Sequence, residues 1–370
     1  MQPINTLEHI RTYNKRYVYE LIQSNQPISR TSIAQMTDMS PASVTRVVAR
    51  LIEKGLVEES VATASLGRGR KAVGLNISKT GAYLVGVYCS RTTVYACLID
   101  ATDTVLAEVK KEIKPGYTLN DLAYTIMVLT LELLRQKQIP KEKLRGVGIG
   151  IPGIVSFKDG IVHRSDVLGW VDVQVAKPIA DMLNCEVSIE NDVNACLMGE
   201  RVKRGLGDDQ DAVYLMVDKG LGMAMCANGQ LVRGQDNSAG ELDRIPVEAG
   251  TALQDHLLEK YLIARAKKVD LNISSLLDLK EAYALRLYWA VWLIDGLRSH
   301  LRTVLGMIQG LCAPYALILG GSVIECFQEM LLPDMPANAM ISSDFQNNAA
   351  YGAAICAQKH SLQALFENEL

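Results

Sequence analysis

Asn191 and Asp192 follow an apolar run, 186–189, and precede a stretch of helical character, 195–204. A carboxylate at a strand end beside a helix N-terminus can accept hydrogen bonds from a polyol, or act as general base toward a hydroxyl. The same spacing suits a helix cap, with Asp192 or Asn194 serving the local backbone, and spacing alone leaves both readings open. Glu241, in Ala239-Gly240-Glu241, and Glu259 add carboxylates able to chelate neighbouring hydroxyls, and Trp170 is either an aromatic platform beside them or a core ring. Two glycine turns, Asp218-Lys219-Gly220-Leu221-Gly222 and Gly320-Gly321, would let backbone N–H groups approach an anion. Plain turns explain them equally well.

A different chemistry is written into residues 26–77. Gln26-Pro27-Ile28-Ser29 ends an opening helix, and Ser29 caps a second over 30–37. Asp38-Met39 is the turn. Ser40 caps a third helix over 41–54, with Pro41 at the first position, where a missing N–H costs nothing. Val44, Val47, Val48, Leu51 and Ile52 form its buried stripe, and Gly55 is its left-handed stop. The opposite face presents Ser43, Arg46 and Arg50, with Ala42 and Thr45 beside them, which suits base edges in a major groove. Runs at 56–62 and 71–77 pair as a wing whose tip carries Arg68, Arg70 and Lys71 toward a minor groove. The alternative is a helical hairpin with a solvated charged face. Charge distribution argues against it: residues 1–80 hold 11 Lys/Arg and 6 Asp/Glu, the remainder 27 and 35, a basic head on an acidic body. Double-stranded DNA is the expected partner.

At 370 residues and 49% hydrophobic content the chain can build more than one core. Its opening lacks the order of a secretory signal, so a cytoplasmic location is expected. The long apolar stretch 285–311 is interrupted by Asp295, Arg298, His300 and Arg302 and reads as a buried helix without membrane insertion. Eight cysteines are scattered without a CxxC pair, which predicts reduced core thiols and no structural zinc. No cofactor is expected.

The elements that must position the carboxylates come in two similar units. Strand-like runs at 82–90, 93–100 and 104–110 precede a helix over 119–137 and a strand over 146–151. Runs at 212–217, 223–227 and 230–233 precede long helices around 253–267 and 282–311 and a strand over 316–319. This repetition predicts a duplicated α/β body of two lobes over 81–370, behind a head over 1–80, with a ligand cleft between the lobes.

Several motifs occur in a telling order after the winged helix-turn-helix: Gly150-Ile151-Pro152-Gly153-Ile154-Val155, Gly169-Trp170, Glu190-Asn191-Asp192-Val193-Asn194, Ala239-Gly240-Glu241-Leu242 and Leu319-Gly320-Gly321. This order resembles the ROK family (repressors, open reading frames, sugar kinases), and within it the repressor branch, over essentially the whole chain. Ser29-Arg30, Ser40-Pro41-Ala42-Ser43 and 69–75 resemble that branch's DNA-binding region and add Arg30 and Ser40 to the candidate contacts. The resemblance implies an actin-like, hexokinase-type domain in two lobes with a sugar between them. It implies that Asn191, Asp192, Glu241 and Glu259 hold sugar hydroxyls, Asp192 standing where the kinases have their catalytic base. Gly153 would lie beside the sugar, and Asp166 stands where the family often has asparagine.

Departures from the family pattern matter as much. Its kinases open the body with a glycine-rich turn for ATP phosphates; here the turn is Tyr88-Cys89-Ser90-Arg91-Thr92-Thr93, so kinase activity is not expected. The family's Gly-His and zinc-binding cysteine cluster give way to Asp243-Arg244, with no cysteine between Cys226 and Cys312. Arg244 could reach a carboxylate or phosphate of an anionic sugar, or pair with Asp243 or Glu248 in a pocket that has lost its ligand. The expectation is a sequence-specific regulator, a repressor of sugar uptake or catabolism genes, acting as a homodimer or homotetramer with a sugar or sugar-phosphate effector. The rivals are a sugar kinase with an accessory DNA-binding head, and a regulator sequestered by a transporter component.

Overall fold

The computed structural model describes residues 6–61, 73–243, 245–248 and 250–368. Arg68, Arg70 and Lys71 of the expected wing tip, and Arg244, lie outside the described residues.

The head consists of α1 (Thr6–Asn25), α2 (Arg30–Thr37), α3 (Pro41–Glu53) and the antiparallel pair β1 (Val57–Val61) and β2 (Val73–Ile77). Its boundaries follow local chemistry. Ser29 Oγ accepts from Ser32 N, Asp38 ends α2 in the left-handed region at φ 54°, and Ser40 Oγ accepts from Ser43 N with Pro41 opening α3. Gly55 follows α3 at φ +71°. Val44, Val48 and Leu51 are fully buried against Val18, Ile22 and Ile33, while Val47 and Ile52 pack at the edge of that core.

The first lobe carries β3 (Tyr83–Cys89), β4 (Thr93–Asp100), β5 (Val105–Glu112), α4 (Leu119–Gln136) and β6 (Leu144–Ile151). A small antiparallel sheet of β7 (Ile154–Ser156), β8 (Ile161–Ser165) and β9 (Trp170–Gln174) follows, then α5 (Ala176–Leu183), β10 (Glu186–Asn191) and α6 (Asp192–Lys203). The main sheet runs β10-β6-β3-β4-β5, with β3, β6 and β10 parallel. The second lobe carries β11 (Ala212–Val217), β12 (Leu221–Ala227), β13 (Gln230–Leu231), β14 (Pro246–Glu248), β15 (Thr251–Ala252), α7 (Gln254–Leu257), α8 (Glu259–Lys267), α9 (Leu276–Ala284), α10 (Tyr288–Cys312), β16 (Ala316–Gly320), α11 (Ser322–Leu331) and β17 (Ala339–Ile341). Its sheet runs β13-β12-β11-β16-β17. The helix expected over 253–267 is divided at Leu258, which is extended at ψ 142°, and the one over 282–311 is divided between α9 and α10.

The chain ends in α12 (Phe345–Asn368), which lies against β3, β6 and α6 and reaches α1 of the head. The approach is close: a Cβ on Gly86 of β3 would stand 1.9 Å from Ala350 O. Glycine in the strand and alanine on the helix let the two backbones meet. Among the described residues no helix is long and apolar enough to cross a membrane. Cys89, Cys97, Cys196 and Cys226 are buried thiols, and the other four cysteines are partly buried.

Candidate functional site

Strands β3, β6 and β10 point their carboxyl ends at the second lobe, the place where open α/β sheets bind ligands. Asn191, the last residue of β10, is the cap of α6: its Oδ1 accepts from Val193 N at 2.9 Å and Asn194 N at 3.0 Å. Its Nδ2 donates to Gly153 O at 2.9 Å. Capping therefore belongs to Asn191, not to Asp192 or Asn194. Gly153 holds φ +124°, where an added Cβ would stand 2.2 Å from Arg164 O, so only glycine lets this turn pass under β8.

Asp192 is thereby left at the first turn of α6, buried, its Oδ1 accepting from Val193 N at 3.0 Å. Burial pushes its carboxyl up to about 7, and the charges of Glu241 and Asp218 add to the rise. The structure thus brings Asp192, Glu241 and Asp218 together from three separate segments. Glu241 is exposed at the cleft mouth, on the segment that bridges to Gly222 of β12. Glu259 opens α8, and Ser322 Oγ stands 3.3 Å from its carboxylate and 2.6 Å from that of Asp218.

The turns able to cradle phosphate are filled by the chain itself. Thr93 N and Thr92 N donate to Ser90 Oγ at 3.0 and 3.3 Å, so neither faces outward toward an anion. Beside this turn Tyr88 packs edge-on against Phe345, ring centroids 5.6 Å apart. Burial first, then Asp192 and Asp218, hold its phenol well above the ordinary value, and it is neutral. At the head of α11, where Gly320-Gly321 suggested an anion site, the occupant is the Asp218 carboxylate accepting from Ser322.

Asp166 lies on an exposed turn, gripped by Arg164, whose Nε and Nη2 donate to its carboxylate at 2.8 and 2.9 Å. Asp166, then Asp243 and Glu241, raise the Arg164 guanidinium further. Arg164 is therefore a cation at the cleft mouth that sequence reasoning passed over. Trp170 is a core ring, edge-on to Tyr117 at 6.0 Å. A second missed residue is Arg233, which reaches from the second lobe to Glu190 of β10 and lies 4.3 Å from the centroid of the Phe157 ring. Sequence separations of 43 and 76 residues hide such partners.

The donor set does not fit a structural zinc ion. His256, in the segment where the resemblance would place the metal, has Thr251 Oγ1 3.1 Å from its Nε2 and the Arg265 guanidinium 3.4 Å from its Nδ1. A cation facing the ring nitrogen opposes a metal there, and no group of three or more ligating side chains occurs among the described residues.

In the head, Ala42, Thr45, Arg46 and Arg50 are exposed on α3, and Ser43 is partly so. Ser40 and Ser43 share a hydroxyl contact of 2.9 Å, and Thr45 Oγ1 donates to Pro41 O. Arg30 stands off this face, paired with Glu59 of β1 at 2.6 Å.

The ROK family model matches residues 84–361, and a winged helix-turn-helix DNA-binding model matches residues 11–58. The chain belongs to the ROK family. Among curated relatives, the DNA-binding transcriptional dual regulator NagC of Escherichia coli strain K12 is 23% identical over 89% of this chain and 85% of its own length. The xylose repressor of Bacillus subtilis strain 168 is 25% identical over 85% of this chain and 84% of its own. A putative xylose repressor of Caldicellulosiruptor sp. strain Rt8B.4 is 26% identical over 65% of this chain, which spans 60% of that relative's length. A crystal structure of a ROK family transcriptional regulator, a homologue of the E. coli Mlc protein, superposes with TM-score 0.80 over 97% of this chain and 99% of its own, at 20% identity. The ROK hexokinase of Thermus thermophilus superposes with TM-score 0.65 over 75% of this chain and 98% of its own, also at 20% identity. This ROK chain thus joins a winged helix-turn-helix to a hexokinase-like body, and it is a DNA-binding transcriptional regulator.

Proposed function

We propose that this ROK regulator represses sugar uptake or catabolism genes and that a sugar or sugar phosphate between its lobes controls its grip on the operator. The observation that carries the reading is the contrast inside the cleft. Buried Asp192 lies within the field of Glu241 and Asp218, and Glu259 is linked to Asp218 through Ser322, which supports a role for these carboxylates in holding hydroxyls, while Ser90 and Asp218 fill the turns that would hold ATP phosphates. A buried carboxylate with no phosphate cradle binds a polyol without transferring phosphoryl to it.

In this reading Ser43, Arg46 and Arg50, with Ala42 and Thr45, meet the operator in the major groove, Ser40 and Arg30 meet its backbone, and the wing cations Arg68, Arg70 and Lys71 meet the minor groove. Two heads serve a palindromic site with half-sites about 34–36 Å apart or a multiple of that spacing. The effector acts because it prefers one arrangement of the lobes over the other. Arg164, whose guanidinium feels the charges of Asp243 and Glu241, favours an anionic effector, and the sequence offers Arg244 as a second cation for it.

The test is operator binding by fluorescence anisotropy, challenged with neutral hexoses and pentoses, their phosphates and the sugar acids, with calorimetric titration of the same panel. A shift in operator affinity with one member, abolished in Asp192→Ala, supports the reading. No heat and no shift with any of them overturns it. ATP consumption with any member would return the chain to the kinases.

A further inference from the structure

The turn between β4 and β5 carries two aspartates with different duties. Asp100 anchors the turn: its Oδ1 accepts from Thr102 Oγ1 at 2.7 Å, Thr102 N at 2.8 Å and Thr104 N at 3.1 Å. Asp103 takes the left-handed position at φ +64°, a conformation that asparagine adopts as readily as aspartate. The turn therefore needs no charge at Asp103.

That charge faces the joint between head and body. Gln23 Nε2 of α1 stands 3.5 Å from Asp103 Oδ2, at the limit of a hydrogen bond. Oδ1 is buried with no hydrogen-bond partner among the described residues. Tyr19 and Gln23 face this carboxylate from the head, Tyr351, Gln358 and Lys359 from α12, and Asp100 from its own turn. Packing at the joint is also incomplete: a cavity of about 20 Å³ lies between Tyr19 and Leu56 of the head and Ala101, Arg145 and Gln358 of the body. A buried carboxylate with an orphaned oxygen opposes the contact that buries it, because breaking that contact returns the oxygen to water.

We infer that Asp103 is a proton-operated latch, which when ionised loosens the docking of the head on α12 and the β4–β5 turn, and when protonated lets the head seat. Burial raises its carboxyl to about 6, against the pull of the Gln358 amide and with some help from Asp100, while the Lys359 charge also lowers it. With the head away, water reaches the carboxyl and its value returns toward the ordinary 3.8. The docked state thus binds the extra proton. Docking is fullest below about pH 4, weakens as pH rises toward about 6 and is level above that. The latch belongs to the joint and not to the cleft between the lobes, so it does not rest on the effector reading.

Hydrogen exchange of α1 and of the last turns of α12 reads the joint from both sides. At each pH the wild-type rates are divided by those of Asp103→Asn, which cancels the pH dependence of exchange itself. The ratio should rise about ten-fold between pH 5 and 7.5, as a carboxyl moving from 3.8 to about 6 on docking requires. The rise should be absent from α9 of the second lobe. Lys359→Glu supplies the second test: with an acid in place of the cation, the midpoint of the rise should move to higher pH. A ratio flat with pH, a rise of equal size in α9, or a midpoint unmoved by Lys359→Glu overturns the latch.

Discussion

The ring of Tyr19, on the first helix of the head, meets the ring of Phe366, near the end of the last helix, edge-on at 5.9 Å. At its other end α12 begins with Phe345, packed against Tyr88 of the cleft and 6.4 Å from the ring of Tyr214 in the second lobe. Tyr351 donates to Asp103 O at 3.1 Å and Gln358 to Ala101 O at 3.2 Å, pinning the middle of the helix to the β4–β5 turn. One helix of 24 residues, about 36 Å long, therefore touches the candidate pocket with its first turn and the DNA-binding head with its last.

Phe366→Ala should loosen this joint. Removing a buried phenylalanine costs about 3–5 kcal/mol, and the loss falls on head docking because the ring's partner belongs to α1. Limited proteolysis should then cut between head and body at rates well above wild type. Operator affinity should lose most of its response to the effector, while sugar affinity stays constant. An unaltered effector response would remove α12 from the path between the two sites.

Within the head, Arg46 and Arg30 should separate by role. Arg46 is exposed on the face of α3 proposed to read bases, so Arg46→Ala should cost about 1–3 kcal/mol on the cognate operator and relax its specificity. Arg30 is oriented by Glu59, away from that face. Its replacement by alanine should weaken all sequences alike and lower the salt slope of binding by about one. Anisotropy titrations over a salt series, with operator and scrambled duplexes, check both.

The head was legible in the sequence because its boundaries are set by neighbours: Ser29, Ser40 with Pro41, and Gly55 each act within three residues of where they stand. Strands β4 and β11 were legible to the residue for a similar reason, being continuous apolar runs closed by turns. The C-terminal helix was not. Ala349, Ala350, Ala353 and Ala354 are buried between the first-lobe sheet and α6, so α12 exposes no polar stripe over 345–358 and its helical period is blurred there. The β7–β9 sheet escaped notice because its strands are three to five residues long and two of them turn polar side chains outward. In the site, Asp192 could be found from a strand running into a helix. Asp218 and Arg233 could not, since their partners arrive from distant segments; Arg164 has its main partner two residues away in Asp166, but its approach to Asp243 and Glu241 is equally hidden.

Arg233 offers a test of how the lobes are held together. Its guanidinium meets the buried Glu190 carboxylate across the lobe boundary and stacks on Phe157. Arg233→Ala leaves Glu190 buried without its cation, which costs about 3–5 kcal/mol when a buried pair is broken from one side. Pairing the change with Glu190→Gln should recover much of that loss, because the stranded charge is gone. Urea unfolding of both single variants and the double variant gives the coupling; additive losses would show that the pair does not bridge the lobes energetically.

If the proposed sugar sits against Asp192, stability and sugar binding should depend on pH in opposite senses. Its carboxyl titrates near 3.8 in the unfolded chain and about 7 in the folded one, raised by burial and by the charges of Glu241 and Asp218. Between those values the folded state binds the extra proton, so stability falls as pH rises from about 4 to about 7 and is level above. Asp192→Asn removes this slope and should stabilise the chain above pH 7 by roughly 2–4 kcal/mol, with no gain at pH 4. Asp103, raised by burial to about 6, gives the wild type and the variant the same underlying trend, so the difference between them isolates Asp192. A sugar whose hydroxyls donate to the ionised carboxylate binds more tightly as pH rises through 7, and Asp192→Asn should lose both the binding and its pH dependence. Melting curves and titration calorimetry from pH 5 to 8.5 check the two slopes; sugar affinity that is flat across this range in wild type would remove Asp192 from the contact.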